Sequence, residues 1–174
     1  VSALVGNCTP QNTSRTLDLD LSLLSPLVAL PGSPDNVEPA AALSDVSIDT
    51  AMVGSCASGG LSDPETAARL LAGRKVAEDT TLLVTPATKI ILQAAVEKGI
   101  VSTLLEAGAV LLNPSCGACG GIDKGIPAVG ETVITTAPRN YGSRARVGSQ
   151  VYLASTATTV ASAIRGAIHP GEGA

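Results

Sequence analysis

From Asp45 to the C-terminus, short apolar runs alternate with segments of helical periodicity, and a glycine or proline turn separates one from the next. The apolar runs are too short for helices and are rich in Val, Leu, Ile and Thr, which favours strands. Strands that alternate with helices indicate a parallel sheet covered on both faces. We therefore expect an α/β fold, a three-layer α/β/α arrangement around a mainly parallel sheet.

The same patterns give bounds for the elements. Strands are predicted at 47–53, 81–84, 109–112, 132–136 and 150–154, and a further strand at 17–23, where Leu alternates with polar residues. Helices are predicted after Ser62 or Asp63 as N-cap, around 90–95, around 104–105 and over 160–168. Four prolines between 25 and 40 predict an extended connection across the surface.

The length of 174 residues fits one domain. We divide the chain into a tail or partner-contacting segment, 1–16, and one domain, 17–174. The chain starts at Val1 without a methionine and without the basic and apolar regions of a secretion signal. We therefore expect the N-terminus to be processed or cut from a longer product.

The composition argues against two classes of partner. Tyr141 and Tyr152 are the only aromatic residues and the net charge is −4, so neither base stacking nor attraction to phosphate backbones or anionic lipid is expected. No apolar run approaches the roughly 18 residues that a spanning helix needs. We expect a soluble, cytoplasmic protein that binds neither nucleic acid nor membrane.

Three of the four cysteines lie in glycine-rich turns: Cys56, Cys116 and Cys119. These turns follow predicted strands, whose carboxyl ends share one edge of a parallel sheet, so the three thiols can meet there. Glycine lets the backbone approach a bulky cluster closely. An iron–sulfur cluster held by three cysteines keeps one iron open for substrate.

Other interpretations of the cysteines remain open. Cys116 and Cys119 form a CxxC pair that could be a redox dithiol, although neither an aromatic residue nor a proline lies between them. A structural zinc site is a second alternative if Cys8 joins the other three. The third is that the cysteines are inert core residues, because unmodified cysteine is often buried.

Two arginines, Arg139 and Arg144, follow the strand predicted at 132–136. A guanidinium fork suits the two oxygens of a carboxylate, so these residues are candidates for substrate binding. The alternative is a solvated basic loop that also includes Arg146. His169, beside Pro170, is assigned no role.

Several motifs together resemble the aconitase superfamily, and within it the large subunits of 3-isopropylmalate dehydratase and homoaconitase. The resemblance runs in order from about Leu17 to Pro170. It rests on the segments LSPLVALPGSPDNVEP, IDTAMVGSC, ETAARLLAGRKVA, EAGAVLLNPSCGACGG, TAPRNYGSR and YLASTATTVASAIRGAI. The chain departs from the family pattern at Ala57, Ser58 and Pro138, where Thr, Asn and Asn are usual.

The resemblance implies the cluster-binding third domain of that fold. Cys56, Cys116 and Cys119 would hold a 4Fe-4S cluster, and Arg139 and Arg144 would bind a carboxylate. The function would be that of a subunit or fragment of a hydro-lyase, in which the open iron acts as a Lewis acid on a small hydroxy carboxylic acid.

The catalytic base would come from a partner chain. Partner chains would supply the remaining aconitase-type domains, including the swivelling small domain with its serine. The alternatives are a non-catalytic cluster-binding or assembly module of the same fold and a zinc-stabilised structural domain.

Overall fold

The computed structural model describes residues 17, 18, 20, 22, 24–141 and 145–171. The predicted tail 1–16, which includes Cys8, lies outside the described residues. So does Arg144.

Seven strands and four α-helices make up the part of the chain that the structure describes. The strands are β1 (Leu27–Ala29), β2 (Val37–Pro39), β3 (Thr50–Gly54), β4 (Thr81–Thr85), β5 (Val110–Leu111), β6 (Thr132–Thr135) and β7 (Gln150–Leu153). The helices are α1 (Ser62–Leu71), α2 (Lys89–Glu97), α3 (Ile100–Glu106) and α4 (Thr156–Arg165). Two short 3₁₀ helices lie at Ala40–Leu43 and Gly117–Gly120.

All seven strands form one sheet, in the order β2-β1-β7-β6-β3-β4-β5. The five strands from β7 to β5 are parallel, and only β1 and β2 add an antiparallel edge. The predicted α/β class with a mainly parallel sheet is therefore confirmed.

The two faces of the sheet are covered differently. On one face, alternate strand residues such as Ala51, Leu82 and Ile134 form a buried core with side chains from all four helices. On the other face, Met52, Leu83 and Val133 pack against the connecting segments, which contribute Ala118 and Ala145. Within the described residues, the third layer of the predicted arrangement therefore consists of connections rather than α-helices.

The direction of the chain explains this difference. The steps from β3 to β4 and from β4 to β5 go one way along the sheet, and the steps from β5 to β6 and from β6 to β7 go the other way. Right-handed crossovers in opposite directions pass over opposite faces. The helices thus cover one face, and the connection 112–131 and the described parts of the next one, 136–141 and 145–149, cover the other.

Several predicted bounds are corrected by the structure. In the predicted strand 17–23, the described residues Leu17, Asp18, Asp20 and Ser22 are not in a strand, and Leu19, Leu21 and Leu23 lie outside the described residues. The connection predicted over 25–40 contains the hairpin of β1 and β2, which the prolines tolerate because it is the edge of the sheet.

Two further differences concern element ends. The N-cap of α1 is Leu61, without a side-chain cap, rather than Ser62 or Asp63. The last helix ends at Arg165, and Ala167 forms an isolated bridge to Ser47, which lies before β3 instead of inside it.

Candidate functional site

The candidate site lies at the carboxyl edge of the sheet, beside the boundary between β3 and β6. At this boundary the strand order reverses, because β4 and β5 extend from one side of β3 and β6 and β7 from the other. The connections that leave the two strands turn to opposite faces, which opens a crevice at the edge. The turns that carry the three cysteines and Arg139 start from this edge.

Cys56 and Cys116 come together at this edge. Their Sγ atoms are 3.8 Å apart, although 60 residues separate them along the chain. Cys56 follows β3, Cys116 follows β5, and both side chains are exposed. The prediction that distant cysteine turns converge at one edge therefore holds for this pair.

Cys119 lies on the 3₁₀ helix after Cys116 and is buried. With Cys116 it lines a narrow cleft whose other walls include Gly54, Thr85 and Thr135. Within the described residues, no group of three or more His, Cys, Asp or Glu side chains is arranged to hold a metal ion. The structure thus brings the thiols of Cys56 and Cys116 together, and Cys119 lines the same cleft as Cys116.

Two glycines shape the cleft. Gly54 has φ +90°, and a Cβ on it would overlap the carbonyl oxygen of Thr85 at the end of β4. Gly117 has φ +56°, and a Cβ there would lie 3.1 Å from Oγ1 of the same threonine. Both positions therefore favour glycine in backbone conformation and in space.

A chain of hydroxyl groups ties the Cys56 turn to the end of β6. The amide of Gly54 donates to Oγ1 of Thr136 at 2.9 Å, and the Thr136 hydroxyl donates to Oγ of Ser58 at 3.2 Å. The Ser58 hydroxyl lies 3.4 Å from that of Ser55. Ser58, one of the positions that departs from the family pattern, thus helps to position the turn that carries Cys56.

A second network supports the loop with the other two cysteines. Oγ of Ser115 accepts a hydrogen bond from the amide of Gly117 at 2.9 Å. The Ser115 hydroxyl also bonds to the carboxylate of Asp123, and this bond, followed by that from the Lys124 amide, lowers the pKa of Asp123. Asp123 therefore stabilises the start of the cysteine loop through Ser115.

Arg139 lies on the loop that follows β6 and is exposed. Its neighbour Asn140 is buried. The side-chain Nδ2 of Asn140 donates to the carbonyl of Leu30 at 2.6 Å, and its backbone carbonyl accepts from the amide of Gly32 at 3.1 Å. The backbone beside Arg139 is therefore anchored to the turn after β1. Among the described residues, the Arg139 side chain itself has no hydrogen bond or ion pair.

Sequence reasoning missed the residues that support the site, namely Thr85, Ser115, Thr136 and Asn140. Three of them follow or end a predicted strand, which is the available signal in the sequence. Ser115 bonds within its own loop. The partners of the other three lie far along the chain, as in the bond from Gly54 to Thr136 across 82 residues, so those contacts had no sequence pattern.

The donor set fits an iron–sulfur cluster in its chemistry. Cys116 and Cys119 line one cleft, and the thiol of Cys56 lies 3.8 Å from that of Cys116. Thiolate sulfur is the usual protein ligand of such clusters, and Gly54 and Gly117 place no side chain in the cleft. Within the part of the chain that the structure describes, no helix is both long and apolar enough to cross a membrane.

Comparison with known proteins gives a match over most of the domain. The family model described as "Aconitase family (aconitate hydratase)" matches residues 36–166. This range contains the three cysteines and both arginines of the candidate site.

Individual relatives agree with that match. The chain is 43% identical over 154 residues to the 3-isopropylmalate dehydratase large subunit of Desulfosudis oleivorans, covering 88% of this chain and 36% of that protein. It is 44% identical over 157 residues to the protein of the same name from Campylobacter hominis, with 88% and 38% covered. It is 42% identical over 155 residues to 3-isopropylmalate dehydratase large subunit 2 of Archaeoglobus fulgidus, with 88% and 37% covered. The chain thus spans little more than a third of the length of these relatives.

Proposed function

The chain belongs to the aconitase family, and from this premise we propose that it is the cluster-binding part of an iron–sulfur hydro-lyase that acts on a small hydroxy carboxylic acid. The observation that carries the proposal is the meeting of Cys56 and Cys116 at the edge of the sheet where the strand order reverses. Parallel α/β sheets bind their ligands at such a point. The names of the relatives favour a substrate such as 3-isopropylmalate.

In this proposal, Cys56, Cys116 and Cys119 hold a 4Fe-4S cluster. When bound, the cluster supplies a Lewis acid for the hydroxyl group of the substrate. The thiols need a fixed backbone, which the bond from Thr136 to Ser58 provides for the Cys56 turn and the bond from Gly117 to Ser115 provides for the second loop.

The arginines bind the substrate in the same proposal. Arg139 and Arg144 present guanidinium forks that hold a carboxylate of the substrate in a fixed orientation. This aligns the hydroxyl group and the proton that leave the substrate. Asn140 supports this by fixing the backbone next to Arg139. Salt screens the attraction between a solvent-exposed guanidinium and a carboxylate. The two arginines therefore bind the carboxylate effectively once a partner closes the cleft.

The remaining catalytic group comes from elsewhere in the proposed enzyme. Among the described residues that line the cleft, none carries a carboxylate or an imidazole. The chain can therefore bind and orient the acid, while a partner chain supplies the base for the proton on carbon. We propose that cytoplasmic partner chains provide the other aconitase-type domains, including the small domain.

The test compares the 174-residue chain with the complex that it forms in its own cells, both purified without oxygen. We expect dehydration or hydration of 3-isopropylmalate or a related hydroxy acid by the complex and none by the chain alone. Turnover by the chain alone would refute the need for partners. A complex that contains the cluster but converts none of the acids would favour an assembly module of the same fold.

One distance favours a second candidate, a zinc-stabilised structural domain. Two thiolates about 2.3 Å from one tetrahedral zinc ion lie about 3.8 Å apart, which matches the separation of Cys56 and Cys116. Metal analysis of protein from anaerobic cells separates the two candidates. Stoichiometric zinc in a colourless protein would establish the structural site, and iron with acid-labile sulfide would exclude it.

A further inference from the structure

A cleft of about 370 Å³ lies away from the candidate active site, at the opposite edge of the sheet. It is lined by Arg74, Ala161, Ile164, Arg165 and His169. Arg165 ends α4, and the carbonyl of the next residue, Gly166, accepts the amide of Ile48 just before β3. This contact places the end of α4 at the amino edge of the strands, whereas the cysteines lie at the carboxyl edge.

The cleft is basic, and among the described residues its arginines have no acidic partner. None of the five lining residues is acidic. Within the described residues, the one ion pair joins Lys98 and Glu65, and neither Arg74 nor Arg165 has a side-chain hydrogen bond. Glu106 lines a neighbouring cleft with Arg74, but no ion pair joins them.

The negative end of a helix offsets part of this positive charge. The last carbonyls of α4 carry about half a negative charge, which Arg165 offsets. Arg74 adds a second full positive charge beside the same cleft. A surplus of positive charge therefore remains, in a chain whose net charge is −4.

His169 adds a directed hydrogen-bond donor. Its Nδ1 accepts the amide of Gly171 at 3.2 Å, which leaves the ring proton on Nε2. Its backbone amide donates to Oγ of Ser162 at 2.9 Å, so the residue is held against α4. The ring is thus oriented in advance, with one N–H group available.

The geometry points to a binding site for a small dianion, either a phosphate group or a pair of carboxylates, between Arg74, Arg165 and His169. Guanidinium forks match the oxygens of both groups. The volume is in the lower range for small-molecule sites, and Ala161 and Ile164 offer an apolar wall for a short hydrocarbon body. This site does not depend on the function proposed above, because it shares no residue with the cysteine edge.

The experiment uses the fact that the chain contains one histidine. The NMR signals of the His169 ring therefore report on the cleft without ambiguity. We titrate the 174-residue chain with sodium phosphate and, separately, with sodium succinate, at constant pH and ionic strength, and measure the heat of binding in parallel. Saturable shifts with phosphate alone would identify a phosphate site, and with succinate alone a dicarboxylate site.

Matched variants locate the binding. Arg74→Ala and Arg165→Ala should each raise Kd at least tenfold, because each removes a charged hydrogen-bonding fork. Arg69→Ala removes an exposed arginine of α1 outside the cleft and should leave Kd unchanged. All three side chains are exposed, so each variant should keep the fold. The amide NMR spectra of the variants check this. Any of three results would overturn the proposal: shifts of equal size on titration with sodium chloride, a Kd unchanged in both cleft variants, or no saturable shift with phosphate or with succinate.

Discussion

Gly54 at the end of β3 lies directly against the carbonyl of Thr85 at the end of β4, leaving no room for a side chain between the two strands. A methyl group at position 54 would overlap this carbonyl, and the backbone at φ +90° is strained for any other residue. The close pairing of β3, which leads into the Cys56 turn, with β4 thus depends on one glycine.

Gly54→Ala should therefore lower the free energy of unfolding by about 3 kcal/mol or more, since strain and overlap add. Gly73→Ala is the matched control, because Gly73 also has positive φ, +71°, but no atom lies within 4 Å of the added Cβ. Gly73→Ala should lower the free energy of unfolding by about 1 kcal/mol. Urea unfolding measures both, and equal losses would show that the contact with Thr85 is unimportant.

The cysteine assignments predict which variants lose the metal centre. Cys116→Ser and Cys119→Ser should remove the cluster, whereas Cys8→Ser should keep it, because Cys8 precedes the region that matches the family. Iron and sulfide content and the absorption near roughly 400 nm, where iron–sulfur clusters absorb, measure the outcome in anaerobic protein. Loss of the cluster in Cys8→Ser would mean four cysteine ligands and no open iron.

The hydroxyl chain predicts a loss of stability on removal of one oxygen. Thr136→Val leaves the Gly54 amide without its acceptor and should lower the free energy of unfolding by about 1–2 kcal/mol. Thr136→Ser keeps the hydroxyl and should lose much less. If both variants lose the same amount, the methyl group of Thr136 rather than its hydrogen bonds matters.

The support of the cysteine loop by Asp123 predicts a pH effect. In Ser115→Ala the pKa of Asp123 should rise towards that of an ordinary aspartate, because the largest cause of its lowering is gone. A lowered pKa gives stability that is present above the unfolded-state pKa and lost as the pH falls through the folded one. The stability difference between wild type and Ser115→Ala should therefore shrink below about pH 4.

Carboxylate NMR follows this titration directly. Lys124→Ala is the control, because the charge of Lys124 is the smallest of the causes and the amide bond to Asp123 remains. Its effect on the pKa should be smaller than that of Ser115→Ala. A pKa that does not respond to Ser115→Ala would remove the serine from the network.

The arginines predict a change in activity without a change in the metal centre. In the assembled enzyme, Arg139→Lys and Arg144→Lys should each lower kcat/KM at least tenfold, because lysine cannot form a two-pronged contact with a carboxylate. The cluster content should be unchanged. Full activity of either variant would exclude that arginine from the substrate site.

The alternation of strands and helices predicted the central elements well, because β3, β4 and β6 are buried and carry continuous apolar runs. It failed at 17–23, where the spacing of leucines has the period of a strand but the described residues pair with no neighbour. It also missed β1, whose three residues lie between prolines and are set by pairing with β7 and β2.

The candidate site likewise has contacts that the sequence could predict and contacts that it could not. The meeting of Cys56 and Cys116 could be predicted, because parallel strands bring their carboxyl ends to one edge whatever the loop sequence. The contact of Asn140 with Leu30 could not, since 110 residues separate the partners and the strand order decides their distance. The basic cleft was equally hidden, because Arg74 and His169 come together only through the packing of α1 against α4.

The loop with Cys116 and Cys119 starts from β5, a two-residue strand at the edge of the sheet that is paired only with β4. Edge segments with few hydrogen bonds open at a much lower free energy than the centre of a sheet. Amide hydrogens of 110–120 should therefore exchange faster than those of β3 and β6. The contact between Cys116 and Cys56 should then open while the rest of the domain stays folded, so a thiol reagent should reach both cysteines without global unfolding.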